Sequence, residues 1–397
     1  MISSGNYVEN RERNRSLDGL RAAATLLIIV YHLFSVSGLT LNYANGIGQF
    51  TGRLNVAVSI FFVLSGYLLF KPFVQSILLD APLPRTQSFL LKRFVRIVPA
   101  YWLALLILWK IDAVTIPNAS GFIRNFSLIH TLTVSNVFTG IGQTWTLSIE
   151  MMFYACLPFI AKFIGKRTKK KKRTRTLREI FTCLLALYIS AYVFRVCLHK
   201  FQFELLKTHA LWLPAHIDTF ALGMCIATVV TALEVSPHLK ARRSQLIRMA
   251  PVLYILSGVT WYWSTQLGLA LAFETTPFRI ELFGHFLYGV IAVTFVLPFC
   301  LDQGTSQIVK IFGARVCVWL GTISYGMYLW HFLFLDGHFA NTYLPYRISD
   351  MDVATRLLVT IPGTIAIASA SYYLVERPLI RALSQRMNKR EMISRPI

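Results

Sequence analysis

Apolar runs recur along the whole chain, separated by short polar or basic stretches. About 20 apolar residues in a helix cover the hydrocarbon core of a bilayer. Ten such spans are predicted, at 20–38, 56–73, 94–112, 144–163, 180–197, 212–233, 248–267, 281–300, 316–336 and 356–375. The third and fifth are short or carry Lys110, Asp112 or Arg195 near an end, which weakens them. The expected fold class is all-α, a polytopic transmembrane bundle of about ten spans. It divides the chain into an N-terminal segment, 1–19, a membrane domain, 20–376, and a basic tail, 377–397.

Charge sharpens this picture. Only 15% of the residues are charged and 55% are hydrophobic. Mean hydropathy is +0.54, higher than a water-exposed domain carries. The net charge of +22 sits in short blocks between apolar runs, so it reads as a topology signal and not as a nucleic-acid footprint. One alternating set of loops holds these blocks: Arg11/Arg13/Arg15, Lys92/Arg93/Arg96, 166–178, Lys240/Arg242/Arg243/Arg248, Lys310/Arg315 and the tail. By the positive-inside rule both termini are expected in the cytoplasm, of a bacterial plasma membrane in the reading below. The block KRTKKKKRTRTLR is expected beside anionic membrane lipid. Glu9, Arg11, Glu12, Arg13 and Arg15 precede the first span, and no small-residue cleavage site follows it, so that span is expected to be retained. Six scattered cysteines suggest apolar fillers and no disulfide framework.

Ionisable residues inside such spans mark candidate chemistry. Arg21 and His32 lie roughly 16 Å apart along the first helix, one near a membrane surface and the other well inside. Glu150 is expected at the depth of His32, about 9 Å below the outer boundary. His331 falls in the same outer third, with Tyr325 deeper. His216, Asp218, Glu281 and His285 also reach the outer side, where ordinary interfacial placement is the plainer reading of His216, Glu281 and His285. At the inner end stand Arg21, Lys71, and Arg93 with Arg96 on one helical face. Guanidinium forks suit phosphate oxygens, while positive-inside anchoring equally explains Arg93 and Arg96. The loops near 39–55 and 113–143 are long enough to shape an entrance.

At these residues the chain resembles the acyltransferase-3 family of integral membrane acyltransferases. The arginine–ten residues–histidine signature appears as Arg21 and His32. SGYLL at 65–69, KRFVRIVPAYW around Arg93 and Arg96, TWTLSIEMMFY at 144–154, ISYGMYLWH at 323–331 and VERP at 375–378 follow in order. In EMMFY, Met151 stands where many members carry a second acidic residue, which weakens any mechanism needing an acidic pair. FVLSGYLLFKPF and RIVPAYW also resemble actinobacterial members, among them enzymes acetylating trehalose mycolates.

The resemblance implies an enzyme that transfers acyl groups other than amino-acyl groups. Acetyl-CoA or another acyl-CoA is the implied donor, and an exported sugar or envelope glycolipid the implied acceptor. Arg21, Arg93, Arg96 and Lys71 would hold the donor. His32 would act as general base or acyl carrier, with Glu150 supporting its imidazolium. Trp145, Ser148, Asp218, Tyr325 and His331 are the candidate substrate-binding residues. No metal site is expected, and His209, His216 and His285 lack a ligand pattern. A macrolide acceptor is an alternative within the family. A transporter or flippase is the alternative outside it, though no paired broken helices suggest inverted repeats. Oligomeric state is not legible.

Overall fold

The computed structural model describes residues 14–42, 46–133, 139–201, 210–236, 239–269, 276–302, 304–335 and 352–393. Each of the ten predicted spans is a helix: α1 (Ser16–Val36), α2 (Val56–Leu78), α3 (Thr86–Lys110), α4 (Trp145–Thr168), α5 (Arg173–Lys200), α6 (Leu213–Val235), α7 (Ala250–Thr265), α8 (Phe278–Leu301), α9 (Arg315–Trp330) and α10 (Val353–Ser371). Among the described residues, seven of them are long and apolar enough to cross a membrane: α1, α2, α4, α5, α6, α8 and α10.

The count of ten spans is corrected for two physical reasons. Every 18-residue stretch of α3 holds three basic residues, which oppose full insertion. The helices α7 and α9 have 16 residues each. At 1.5 Å per residue they reach about 24 Å, short of a core about 30 Å thick. The predicted fifth span, by contrast, is firm: α5 runs for 28 residues. Residues 1–13 and 394–397 lie outside the described residues, as does His209, so the membrane orientation remains an expectation.

The helix α6 is the centre of the bundle and lies along α2 and α5. Around it, α1 packs on α9, α7 on α8, and α9 on α10. Gly66 and Gly223 let α2 and α6 touch backbone to backbone, because a side chain at either would strike the facing carbonyl. Phe220 stacks between Phe62 and Phe153, with ring centroids at 4.7 and 4.1 Å, and so ties α2, α4 and α6 together. Outward-facing Leu185, Ile189, Ile255 and Leu358 are exposed apolar side chains, as a lipid-facing surface requires. A π-helical turn at Tyr372–Glu376 links α10 to the tail helix Arg377–Ile393.

Between α3 and α4 the chain forms a short helix, Ala119–Phe126, whose first turn is capped by the Asn118 side chain accepting from the Gly121 N–H. Two single turns, His130–Leu132 and Gly142–Thr144, then lead into α4. This segment was expected to shape an entrance, and residues 112–115 and 139–143 do wall the larger internal cavity.

Candidate active site

Two cavities meet inside the bundle. The smaller, about 110 Å³, is lined by Arg21 from α1, Ser65 from α2, Arg93 and Arg96 from α3, Glu150 and Tyr154 from α4, and Tyr325 from α9. The larger, about 1020 Å³, is lined by His32, Trp145, His216, His285 and the loop wall. Ile28, Val58, Phe62, Thr146 and Tyr328 line both, so the two spaces share a waist.

The arginine cavity brings together charged residues from three helices that are far apart in sequence: Arg21, the pair Arg93 and Arg96, and Glu150. Arg21 sits 3.9 Å from the Asp18 carboxylate, one turn earlier on α1. Arg93 and Arg96 share a face of α3 because they are three residues apart. Glu150 Oε1 accepts from the Ser65 hydroxyl at 2.6 Å, and Oε2 accepts from the Tyr154 hydroxyl at 3.1 Å. Three guanidinium groups and one carboxylate line this space, and the planar forks of the three arginines suit phosphate oxygens.

In the other cavity, His32 Nδ1 lies 2.9 Å from His331 Nε2. His331 Nδ1 lies 2.9 Å from the Tyr328 carbonyl oxygen. The Phe332 ring packs edge-on against both imidazoles, with centroids at 4.9 and 4.8 Å. Across the cavity, His216 Nε2 lies 3.0 Å from the Ala210 carbonyl, and its ring rests 5.8 Å from the Trp145 ring, centroid to centroid. His285 is held between Asp218, at 2.6 Å, and Arg195, at 3.2 Å.

The geometry places several of the expected site residues away from the positions their expected roles need. Glu150 does not meet His32; it lines the arginine cavity, where Ser65 and Tyr154 occupy its oxygens. Lys71 lines neither cavity and instead pairs with Glu234 at 3.2 Å across α2 and α6. Ser148 is fully buried and donates to the Thr144 carbonyl of its own helix at 3.4 Å, so it faces no substrate space. Asp218 is buried behind His285 and lines neither cavity. His331 is fully buried against His32, not open to a ligand. Tyr325 lines the arginine cavity, but its hydroxyl donates to the Ile97 carbonyl at 2.9 Å. Trp145, Arg21, Arg93, Arg96 and His32 do line the cavities.

The sequence reading missed Tyr154, Ser65 and Thr146 as site residues. Tyr154 was findable, since it stands one helical turn after Glu150. Thr146 shares a 2.7 Å hydrogen bond with the Tyr328 hydroxyl at the waist, a contact across 182 residues that no local pattern signals.

A helical membrane bundle with an arginine-lined cavity opening onto a histidine-lined one defines the class: a multi-pass membrane protein built around an internal two-ended site. The chain belongs to the Acyl_transf_3 family, whose model, described as an acyltransferase domain, matches residues 14–376. It is 25% identical over 380 residues to the peptidoglycan O-acetyltransferase OatA of Listeria monocytogenes, covering 92% of this chain and 55% of that one. It is 24% identical over 398 residues to the putative O-acetyltransferase SACOL0978 of Staphylococcus aureus strain COL, covering 93% and 58%. It is 24% identical over 396 residues to the putative peptidoglycan O-acetyltransferase YrhL of Bacillus subtilis strain 168, covering 94% and 56%. The chain thus spans a little over half the length of these bacterial relatives. No solved structure matches it. None of these three names mentions a trehalose mycolate, and that expectation finds no support in them.

Proposed function

We propose that this chain is a membrane O-acetyltransferase that moves an acetyl group from acetyl-CoA to a hydroxyl of an envelope glycan. The observation that carries the reading is the shared waist: three arginines lie on one side of it and His32 on the other. The names of the relatives favour a peptidoglycan-type acceptor over a lipid-linked one.

In this reading Arg21, Arg93 and Arg96 hold phosphate oxygens of the donor, on the cytoplasmic side by the charge pattern of the loops. The pantetheine arm runs past Ile28, Phe62 and Tyr328, which offer it apolar walls. The larger cavity, at about 1020 Å³, is roomy enough for a sugar acceptor, and Trp145 gives a flat aromatic face for it. His32 Nε2 takes the proton from the acceptor hydroxyl while the oxygen attacks the thioester carbonyl. The C–S bond then breaks, and the departing thiolate takes that proton from His32. The products are an acetyl ester and free CoA thiol. Glu150, bonded to Ser65 and Tyr154, positions the arginine cavity and is not a partner of the imidazole.

The test is thiol release from acetyl-CoA by the purified protein in detergent, with and without soluble peptidoglycan fragments. Release that depends on the acceptor, with a product heavier by one acetyl group, supports the reading. A folded protein that releases no thiol with any glycan acceptor overturns it.

A further inference from the structure

The hydrogen bonds around His331 fix where the proton of His32 resides. The Tyr328 carbonyl can only accept, so His331 Nδ1, at 2.9 Å, must carry a hydrogen. In a neutral ring the other nitrogen, Nε2, is then an acceptor. That acceptor lies 2.9 Å from His32 Nδ1, which must therefore be the donor. The rings are inclined by only 19° with centroids 5.1 Å apart, so N–H and lone pair meet close to the ring planes. His32 Nε2 is left without a hydrogen, in a ring that lines the larger cavity.

We propose that His331 is the positioning residue of this site: through the chain Tyr328 carbonyl, His331, His32, it selects the Nδ1–H tautomer of His32 and bares Nε2 as the base. This rests on the acyltransferase reading above. An imidazole in water prefers the opposite tautomer, with the hydrogen on Nε2, and such a ring presents no lone pair on that nitrogen. When His32 takes the acceptor proton, Nδ1–H still donates to His331, so the bond persists through the step. The role that a carboxylate fills in a Ser-His-Asp triad falls here to a second, buried imidazole braced by the backbone. Phe332 packs against both rings and holds them in register.

The decisive experiment combines transfer activity with nitrogen NMR of histidine-labelled protein in lipid, the His32 signal being assigned by its loss in His32→Ala. Wild type is expected to show His32 with hydrogen on Nδ1. His331→Ala is expected to move that hydrogen to Nε2 and to lower kcat by about 10²–10⁴-fold. His331→Gln, whose amide can accept from His32 and donate to Tyr328, is expected to restore the tautomer and keep activity within about tenfold of wild type. A folded His331→Ala protein with an unchanged His32 tautomer, or with wild-type kcat, overturns the proposal. So does Nε2–H on His32 in wild type. Wild type that shows the Nδ1–H ring but transfers no acetyl group strikes the transferase reading instead, which separates the two failures.

Discussion

His285 Nε2 lies 2.6 Å from the Asp218 carboxylate, and this contact ties α8 to α6 beside the larger cavity. Arg195 of α5 approaches the other ring nitrogen at 3.2 Å. Arginine can only donate, so His285 Nδ1 accepts and Nε2–H points at Asp218. Removing the carboxylate leaves the buried His285 Nε2–H without its acceptor, at a cost of about 1–3 kcal/mol, while Arg195 keeps Glu281 at 3.7 Å. Asp218→Ala is therefore expected to unfold well below wild type in a detergent thermal melt, with Asp218→Asn in between. An unchanged melting temperature for Asp218→Ala would show that the contact does not hold the helices.

His32→Ala is expected to lower acetyl transfer by about 100–10,000-fold, with the protein still folded but less stable by about 1–3 kcal/mol, the cost of an unpaired, buried His331 Nε2. Thiol release compared with wild type at matched protein concentration checks this. Wild-type turnover in the variant would remove His32 from the reaction.

The arginines should act on donor binding. Arg21→Ala, Arg93→Ala and Arg96→Ala are each expected to raise KM for acetyl-CoA by about 10–100-fold, the worth of a charged hydrogen bond. Lysine at these positions should recover only part of the loss, since it lacks the planar fork. Lys71→Ala, bound away to Glu234, should leave KM for the donor unchanged. A donor titration with the four variants decides whether the cavity, or mere proximity to the basic face, sets affinity.

Two glycines give opposite signs for one substitution. A methyl at Gly66 would run into the Phe220 carbonyl, and overpacking of that kind costs about 1–3 kcal/mol. Nothing lies within 4 Å of a methyl at Gly258, on α7. There alanine is expected to gain about 1 kcal/mol of helix propensity. Thermal melts of Gly66→Ala and Gly258→Ala should move in opposite directions.

His130, in the segment between α3 and α4, is fully buried, and neither ring nitrogen has a partner among the described residues. Burial pushes its imidazole down to about 4. The unfolded chain takes up a proton below about pH 6.5 that the folded chain refuses until about pH 4. Stability from this group is thus complete above pH 6.5 and falls by about 3 kcal/mol between 6.5 and 4. His130→Phe should lose less stability than wild type between pH 7 and pH 4.5. Equal losses in the two proteins would rule out this site as the source.

The candidate site was partly legible before any coordinates. Arg21 and His32 were placed at two depths by counting helical rise alone, and they do line the two cavities. Glu150 shows where that method stops. Its depth was matched to His32, yet its side chain turns into the arginine cavity, to Ser65 and Tyr154. Rise along a helix gives one coordinate, whereas the direction a side chain faces depends on which neighbours its helix packs against. Lys71 is placed away from the cavities for the same reason: it pairs with Glu234, 163 residues away.

By itself, then, the sequence determined that ten apolar segments become helices, because apolar length and local hydrogen bonding decide that within each segment. It also determined the family motifs and the residue types available to the site. Only the tertiary structure decided that Glu150 lines the arginine cavity, bonded to Ser65 and Tyr154. It alone brought His331 to His32 across 299 residues. That contact depends on α1 packing against α9, and packing partners are chosen by the shape of whole helix faces, which no local stretch of sequence encodes.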